Sequence, residues 1–285
     1  MKLAIAGVRV EVASTDPSLV LAVPRAAHDF LDASSEAPDL ALLARWRDLT
    51  EEDRGPAVFD SGGVWQSYER EGSRRVRFVS AAAGPVPYKV ASLDLARRSG
   101  EVWLHRPCYP AEGPIDVLEH PLDELLYNQL LADRSGLLLH ACGVGDGDVF
   151  IAHSGGGKST LAQLFDRHAP HVRVLSDERI AVRRHGDRWT MYGTPWSGEA
   201  GFAANGEAPL RRLVFLEHGP ADRLESLSGA ALAARLFACS FPPFDDPARA
   251  AATLALAAEL AVSVPAFRFT FAPRAAALVA LGYPC

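Results

Sequence analysis

Apolar and polar positions alternate with different periods along the chain. After Gly7 they alternate with a period of two, which predicts a first strand rather than an export signal, because Arg9 and Glu11 interrupt the apolar run. Leu40, Leu42, Leu43 and Trp46 fall at helical spacing and predict a helix. Val64–Tyr68 and Arg75–Val79 read as strands joined by a turn at Glu71-Gly72-Ser73, and Glu101–His105 as a further strand. Trp65, Tyr68 and Trp103 are then core aromatics of a small sheet. Residues 106 to 114 contain three prolines and read as a linker. The pattern predicts a β-rich N-terminal domain over residues 1–115 and a second domain over residues 116–285.

The second domain opens with a helix near Pro121. Leu122, Leu125, Leu126 and Leu130 share one face, Asp123 and Glu124 sit in the first turn where the helix dipole favours acids, and Gly136 marks its end. Leu137–Cys142 is a compact apolar strand, Gly145-Asp146-Gly147-Asp148 a hairpin turn, and Val149-Phe150-Ile151 the returning strand. Strands follow at Val172–Leu175, Arg179–Val182, Trp189–Tyr192, Arg212–Leu216 and Val264–Phe271. Helices are expected over 230–238, 248–260 and 274–281, and Gly193–Glu199 is a loop. Strands and helices mixed in this way define an α/β (α+β) chain.

The most informative stretch joins the returning strand to the next helix. Ala152-His153-Ser154-Gly155-Gly156-Gly157-Lys158-Ser159-Thr160 reads as a phosphate-binding loop of the G-x-x-x-x-G-K-[ST] kind, with Ala152 in the first glycine's place. Backbone amides at a helix start point into one concavity and attract phosphate oxygens. Ser154, Gly155, Gly156, Gly157, Lys158, Ser159 and Thr160 are the nucleotide-binding residues of this reading. Lys158 supplies a positive charge at the outer phosphates and the Ser159 hydroxyl ligates Mg²⁺, while His153 is a variable loop position.

Phosphoryl transfer also needs a carboxylate to orient or deprotonate the nucleophile. Leu175-Ser176-Asp177-Glu178 provides two, at the end of an apolar strand. Asp177 is the first choice for base or magnesium partner. Glu178 is the second, because the next side chain along a strand faces the other way. On this reading, loss of Asp177 damages turnover far more than nucleotide binding. His140 is either a proton-handling group beside the acids or a partly buried core histidine. Glu199 is either a further acid of the site or part of a rigid surface loop.

The 285 residues carry 29 Lys and Arg against 35 Asp and Glu, a net charge of −6. That balance argues against general nucleic-acid binding, and no apolar run is long enough to span a bilayer. The four cysteines, Cys108, Cys142, Cys239 and Cys285, are widely spaced without a zinc pattern and are expected as free thiols in a cytoplasmic protein.

Leu139-His140-Ala141, the hairpin, Ser154 to Thr160 and Leu175-Ser176-Asp177-Glu178 together resemble the core of HPr serine kinase/phosphorylase and its diverse bacterial relatives. The resemblance covers roughly residues 120 to 280 and is sharpest from 137 to 180. It implies a P-loop kinase fold of the HPr kinase/phosphoenolpyruvate carboxykinase type, with the loop between strands of a mixed, curved sheet. It implies ATP and Mg²⁺ as cofactors, with Lys158 on the phosphates, Ser159, Asp177 and Glu178 at the metal, and Asp177 and His140 in catalysis. Glu178 stands where the family has its second Asp, and the family's downstream Arg- and Gly-rich motif, linked to its phosphorylase activity, has no counterpart. The implied activity is transfer of phosphate to a serine or other hydroxyl of a peptide, protein or small molecule, in a protein that forms homo-oligomers. Relatives in this group modify a serine of a precursor peptide, and the N-terminal domain is then a place for substrate to dock. The alternative is a nucleotide-binding regulatory module without catalysis.

Overall fold

The structure is a computed structural model and describes residues 1–53, 55–81, 84–229 and 231–284. Cys285 and Ala230, the first residue of the helix expected over 230–238, lie outside the described residues. The chain divides into two compact units. The first comprises Met1–Ala4 and Val8–Asp123, the second Ile5–Gly7 and Glu124 onward.

In the first unit β1 (Lys2–Ile5), β2 (Val8–Ser14), β3 (Leu40–Trp46), β4 (Ala57–Asp60), β5 (Trp65–Arg70), β6 (Ser73–Phe78), β7 (Lys89–Asp94) and β8 (Ser99–Leu104) form one sheet. Their order is β1-β2-β3-β8-β7-β6-β5-β4. The helix expected over Leu40–Trp46 is instead strand β3, parallel to both β2 and β8. Leu40, Leu42 and Ala44 are buried while Ala41 and Arg45 are exposed, so the period that matters is two. Leucines at 40, 42 and 43 fit either period over so short a run. Pairing with strands distant in sequence decides between them. The β5–β6 connection turns at Glu71 (φ 55°) and Gly72 (φ 74°), two left-handed residues in succession that match the twist of the flanking strands.

The proline-rich segment after β8 is pinned rather than a free linker. It begins with a short 3₁₀ turn at Arg106–Cys108, and the Arg106 guanidinium donates to the carbonyls of Tyr109 and Pro110 (3.4 and 2.6 Å). The division between the units falls later, at Asp123/Glu124, inside the start of α1 (Leu122–Ala132).

The second unit is a mixed sheet covered on both faces. Its strands are β9 (Gly136–Val144), β10 (Asp148–Ile151), β11 (Val174–Ser176), β12 (Arg179–His185), β13 (Arg188–Tyr192), β14 (Glu207–Pro209), β15 (Arg212–His218), β16 (Arg223–Leu227) and β17 (Ala266–Phe271). The order is β14-β13-β12-β9-β10-β15-β17-β16, with β11 also on β9. β9 and β10 form the expected antiparallel hairpin, while β15 runs parallel to both β10 and β17. Gly136, expected to stop α1, opens β9 instead: α1 ends at Ala132, and the chain reverses through Ser135 at φ 50°.

α2 (Lys158–His168) and α5 (Ala276–Ala280) contribute Leu161, Phe165 and Leu278 to a cluster with Phe150 and Val214. α3 (Ala231–Ala238) and α4 (Pro247–Ser263) contribute Leu236 and Leu260 to a second cluster with Val149, Ile151 and Phe215. Alternate residues of β10 and β15 therefore enter different cores, which is why these strands are apolar without interruption. Cys108 is exposed and Cys142 and Cys239 are buried, all three as free thiols. Among the described residues no helix is long and apolar enough to cross a membrane.

Candidate functional site

The site grows from the end of β10. Ala152 leaves the strand, the chain wraps through Gly155 (φ 76°) and Gly157 (φ 93°), and α2 begins at Lys158 with Gly157 as its N-cap. Gly156 answers the departure at Ala152. A Cβ on Gly156 would lie 2.4 Å from the Ala152 Cβ and 3.0 Å from the His153 carbonyl oxygen. The methyl group that position 152 adds thus occupies the space a side chain at 156 would need. A Cβ on Gly157 would meet the Phe271 ring at 2.9 Å, besides being strained by its positive φ.

The first amides of α2 have no acceptor inside the helix. They open on a concavity of about 390 Å³ whose lining includes Ser154, Lys158, Ser159, Glu178, Glu199 and His218. Lys158 is almost wholly buried, and its ammonium donates to the carbonyls of Ala152 (3.1 Å) and His153 (3.3 Å). Burial holds its pKa below the ordinary lysine value, against the opposing pull of Glu178.

Asp177 and Glu178 follow β11, where the pairing with β9 is irregular, and they lie in a bend rather than in the strand. Strand alternation therefore does not separate them. A Cβ on Gly198 would lie 2.8 Å from Asp177 Oδ2 and 3.2 Å from Glu178 Oε2, so the two carboxylates converge on the same loop glycine. The bend is fixed by Ser176, whose hydroxyl donates to the Trp196 carbonyl (3.1 Å) and accepts from the amides of Glu178 and Arg179 (3.2 Å each).

The two acids have different surroundings. Asp177 is fully buried. Its Oδ1 accepts from the amides of Gly198 (2.9 Å) and Phe202 (3.1 Å), and its Oδ2 from the Ser159 hydroxyl (2.9 Å) and the amide of Ala200 (3.0 Å). Four donors use the lone-pair directions of a carboxylate. Glu178 faces the concavity, with Oε1 2.9 Å from His140 Nε2 and Oε2 3.9 Å from Lys158 Nζ. Burial, then the Lys158 charge, lowers the pKa of His140, while Glu178 opposes the shift.

The structure thus brings Lys158, Ser159, Asp177, Glu178 and His140 together, with Glu199 exposed on the rim. His153 contributes its carbonyl to Lys158, and its ring Nε2 lies 3.8 Å from Cys239 Sγ. Sequence reasoning missed His218 and Arg179. His218 ends β15, bonds the Gly155 carbonyl oxygen through Nε2 (2.9 Å) and stacks on Phe271. The apolar run ends at Leu216, two residues earlier; the signal for His218 is that a parallel neighbour of the loop strand ends beside the loop. Arg179 pairs with Glu124 (2.9 Å) and lies over the Phe241 ring (4.7 Å), a partnership between distant segments with no local pattern.

Among the described residues no group of three or more His, Cys, Asp or Glu side chains is placed to hold a metal by itself. The donors present, the Ser159 hydroxyl with Asp177 behind it and the Glu178 carboxylate, are hard oxygens. They suit Mg²⁺, which keeps several waters and binds through one or two protein oxygens plus substrate phosphates. No model of a known protein family matches this chain, and no curated protein matches it.

Proposed function

We propose that the second unit is a Mg²⁺- and ATP-dependent phosphotransferase of the HPr-kinase-like kind, acting on a serine or other hydroxyl of a peptide, protein or small molecule. One observation carries the reading: a buried lysine, a serine hydroxyl tied to a buried aspartate and a glutamate–histidine pair converge on one concavity at the start of α2. The hairpin that feeds the loop, and the parallel strand beside it, support the fold the family resemblance implies.

Residues 154 to 160 bind the polyphosphate through the amides of the first turn and the Lys158 charge. Asp177 holds the Ser159 hydroxyl so that its free lone pair faces the concavity. Mg²⁺, when bound, neutralises charge on the phosphates and orients them. In the transfer step the acceptor oxygen bonds to the terminal phosphorus. The bond from that phosphorus to its bridging oxygen breaks, and the electron pair leaves with the diphosphate. The acceptor's proton goes to Glu178, whose Oε1 lies 2.9 Å from His140 Nε2. Glu178 takes the role of base that sequence reasoning assigned first to Asp177, because all four lone-pair directions of Asp177 are already occupied.

The test is incubation with Mg-ATP and a library of serine-containing peptides, read by mass spectrometry for a phosphate gain. Wild type transfers. Glu178→Gln binds Mg-ATP and loses about 10²–10⁴-fold in rate, the usual contribution of a positioned base. Binding of nucleotide without transfer to any acceptor would favour the regulatory module.

A further inference from the structure

The first unit holds a larger groove of its own, about 1020 Å³, which the transfer chemistry does not use. Its walls include Val64, Val86, Tyr88 and Tyr109, and its polar groups include His105 and Glu119. The two tyrosine rings meet at 56° with centroids 6.3 Å apart and form an aromatic corner.

Each polar group is fixed from behind. The amide of Leu49 donates to His105 Nδ1 (3.2 Å), so the proton of the neutral ring sits on Nε2, for which the described residues supply no partner. Glu119 Oε1 takes the ammonium of Lys89 (3.2 Å) and lies 3.5 Å from the Tyr109 hydroxyl. Its Oε2 has no partner among the described residues, and the side chain is 39% exposed. Lys89 is itself fully buried beneath the Phe78 and Tyr88 rings. No Lys or Arg lines the groove, and the one cation on its carboxylate is Lys89, which pairs with Oε1 from outside the lining.

A carboxylate in a groove that two tyrosines also line suits an organic cation, through Coulomb attraction and the ring quadrupoles. The volume reaches the upper end of small-molecule sites, and the apolar walls offer room for neighbouring side chains. We propose that this groove docks a basic segment of the phosphate-accepting peptide, with a Lys or Arg side chain against Tyr88 and Tyr109, its charge on Glu119, and apolar neighbours on Val64 and Val86. That the peptide accepts phosphate rests on the phosphotransferase reading; its docking does not. A docking module covalently joined to a transfer module raises the acceptor's effective concentration without improving the transfer site.

The probe is a fluorescent, end-blocked tetrapeptide Leu-Arg-Leu-Ser, compared by anisotropy with the same peptide bearing Glu in place of Arg. The arginine peptide saturates the full-length protein, and the glutamate peptide binds at least about tenfold more weakly, the scale of one lost charged hydrogen bond. Glu119→Gln weakens the arginine peptide by a similar factor. Because that variant disturbs Lys89, Val64→Lys is the second: Val64 is 53% exposed, and a lysine there places a like charge on the rim without entering the core. It also weakens binding about tenfold or more. Lys158→Ala leaves peptide binding unchanged.

Equal binding of the two peptides, no binding of either at millimolar concentration, or indifference to Val64→Lys would overturn the inference. So would arginine amide alone binding as tightly as the tetrapeptide, which would make the groove a small-cation site. The Mg-ATP-induced thermal shift, read on the same samples, keeps the two readings apart. Peptide binding without that shift supports docking and removes only the transfer reading. A shift without peptide binding removes only docking.

Discussion

Replacing Asp177 by asparagine keeps the shape of the side chain and removes its ability to accept four hydrogen bonds. The less costly orientation puts the new NH₂ where Oδ2 stands. There it faces the Ala200 amide, now donor against donor, and the Ser159 hydroxyl, which must reverse and accept. The other oxygen keeps the amides of Gly198 and Phe202 but without the charge. One charge-assisted bond lost and the rest weakened, in a fully buried setting, give about 2–4 kcal/mol of destabilisation. For a protein of this size that is a fall in Tm of roughly 3–7 °C. The reversed hydroxyl also turns its lone pair away from the concavity, so Mg-ATP affinity falls by about tenfold or more. Differential scanning calorimetry and isothermal titration with Mg-ATP read both effects. If Asp177→Asn melts within about 1 °C of wild type, binds Mg-ATP equally well and loses only transfer, Asp177 is the base after all, and the division of labour between the two acids is wrong.

Three further outcomes follow. Gly156→Ala collides with the Ala152 methyl and costs about 1–3 kcal/mol, and Ala152→Gly in the same chain restores most of it, leaving the contact with the His153 carbonyl; a double-mutant cycle by chemical unfolding measures this coupling. His140 has its pKa held below 6.5, so the unfolded chain binds the proton more readily, and stability falls as pH drops below about 6.5; unfolding curves from pH 7 to 5 show this slope in wild type and a shallower one in His140→Gln. Asp116, pushed up to about 6 by burial and then by the Asp123 charge, has the opposite sign: its contribution is present at low pH and is lost as pH rises from about 4 to about 6. Asp116→Asn flattens that window by on the order of 1 kcal/mol, the figure being reduced for the solvent that still reaches the group.

The strand–loop–helix at 149–168 was legible because its pattern is local: three glycines, a lysine and a serine between an apolar strand and a helix. The hairpin ahead of it was legible for the same reason, through Gly145 to Asp148. Leu40–Trp46 was misread because its partners, β2 and β8, are remote, and a seven-residue run carries too little pattern to separate the two periods. The roles of Asp177 and Glu178 could not be read from alternation, since the chain has left β11 before either residue. Three amides from the loop at 198–202 surround Asp177, and no sequence pattern marks a carboxylate that backbone donors will enclose.

The central claim is that the start of α2 grips a nucleotide's polyphosphate. Isothermal titration of Mg-ATP into wild type and Lys158→Ala tests it most directly. Wild type is expected to bind saturably at one site per chain, and Lys158→Ala to abolish that binding. Absence of binding by wild type, or equal binding by Lys158→Ala, would contradict it.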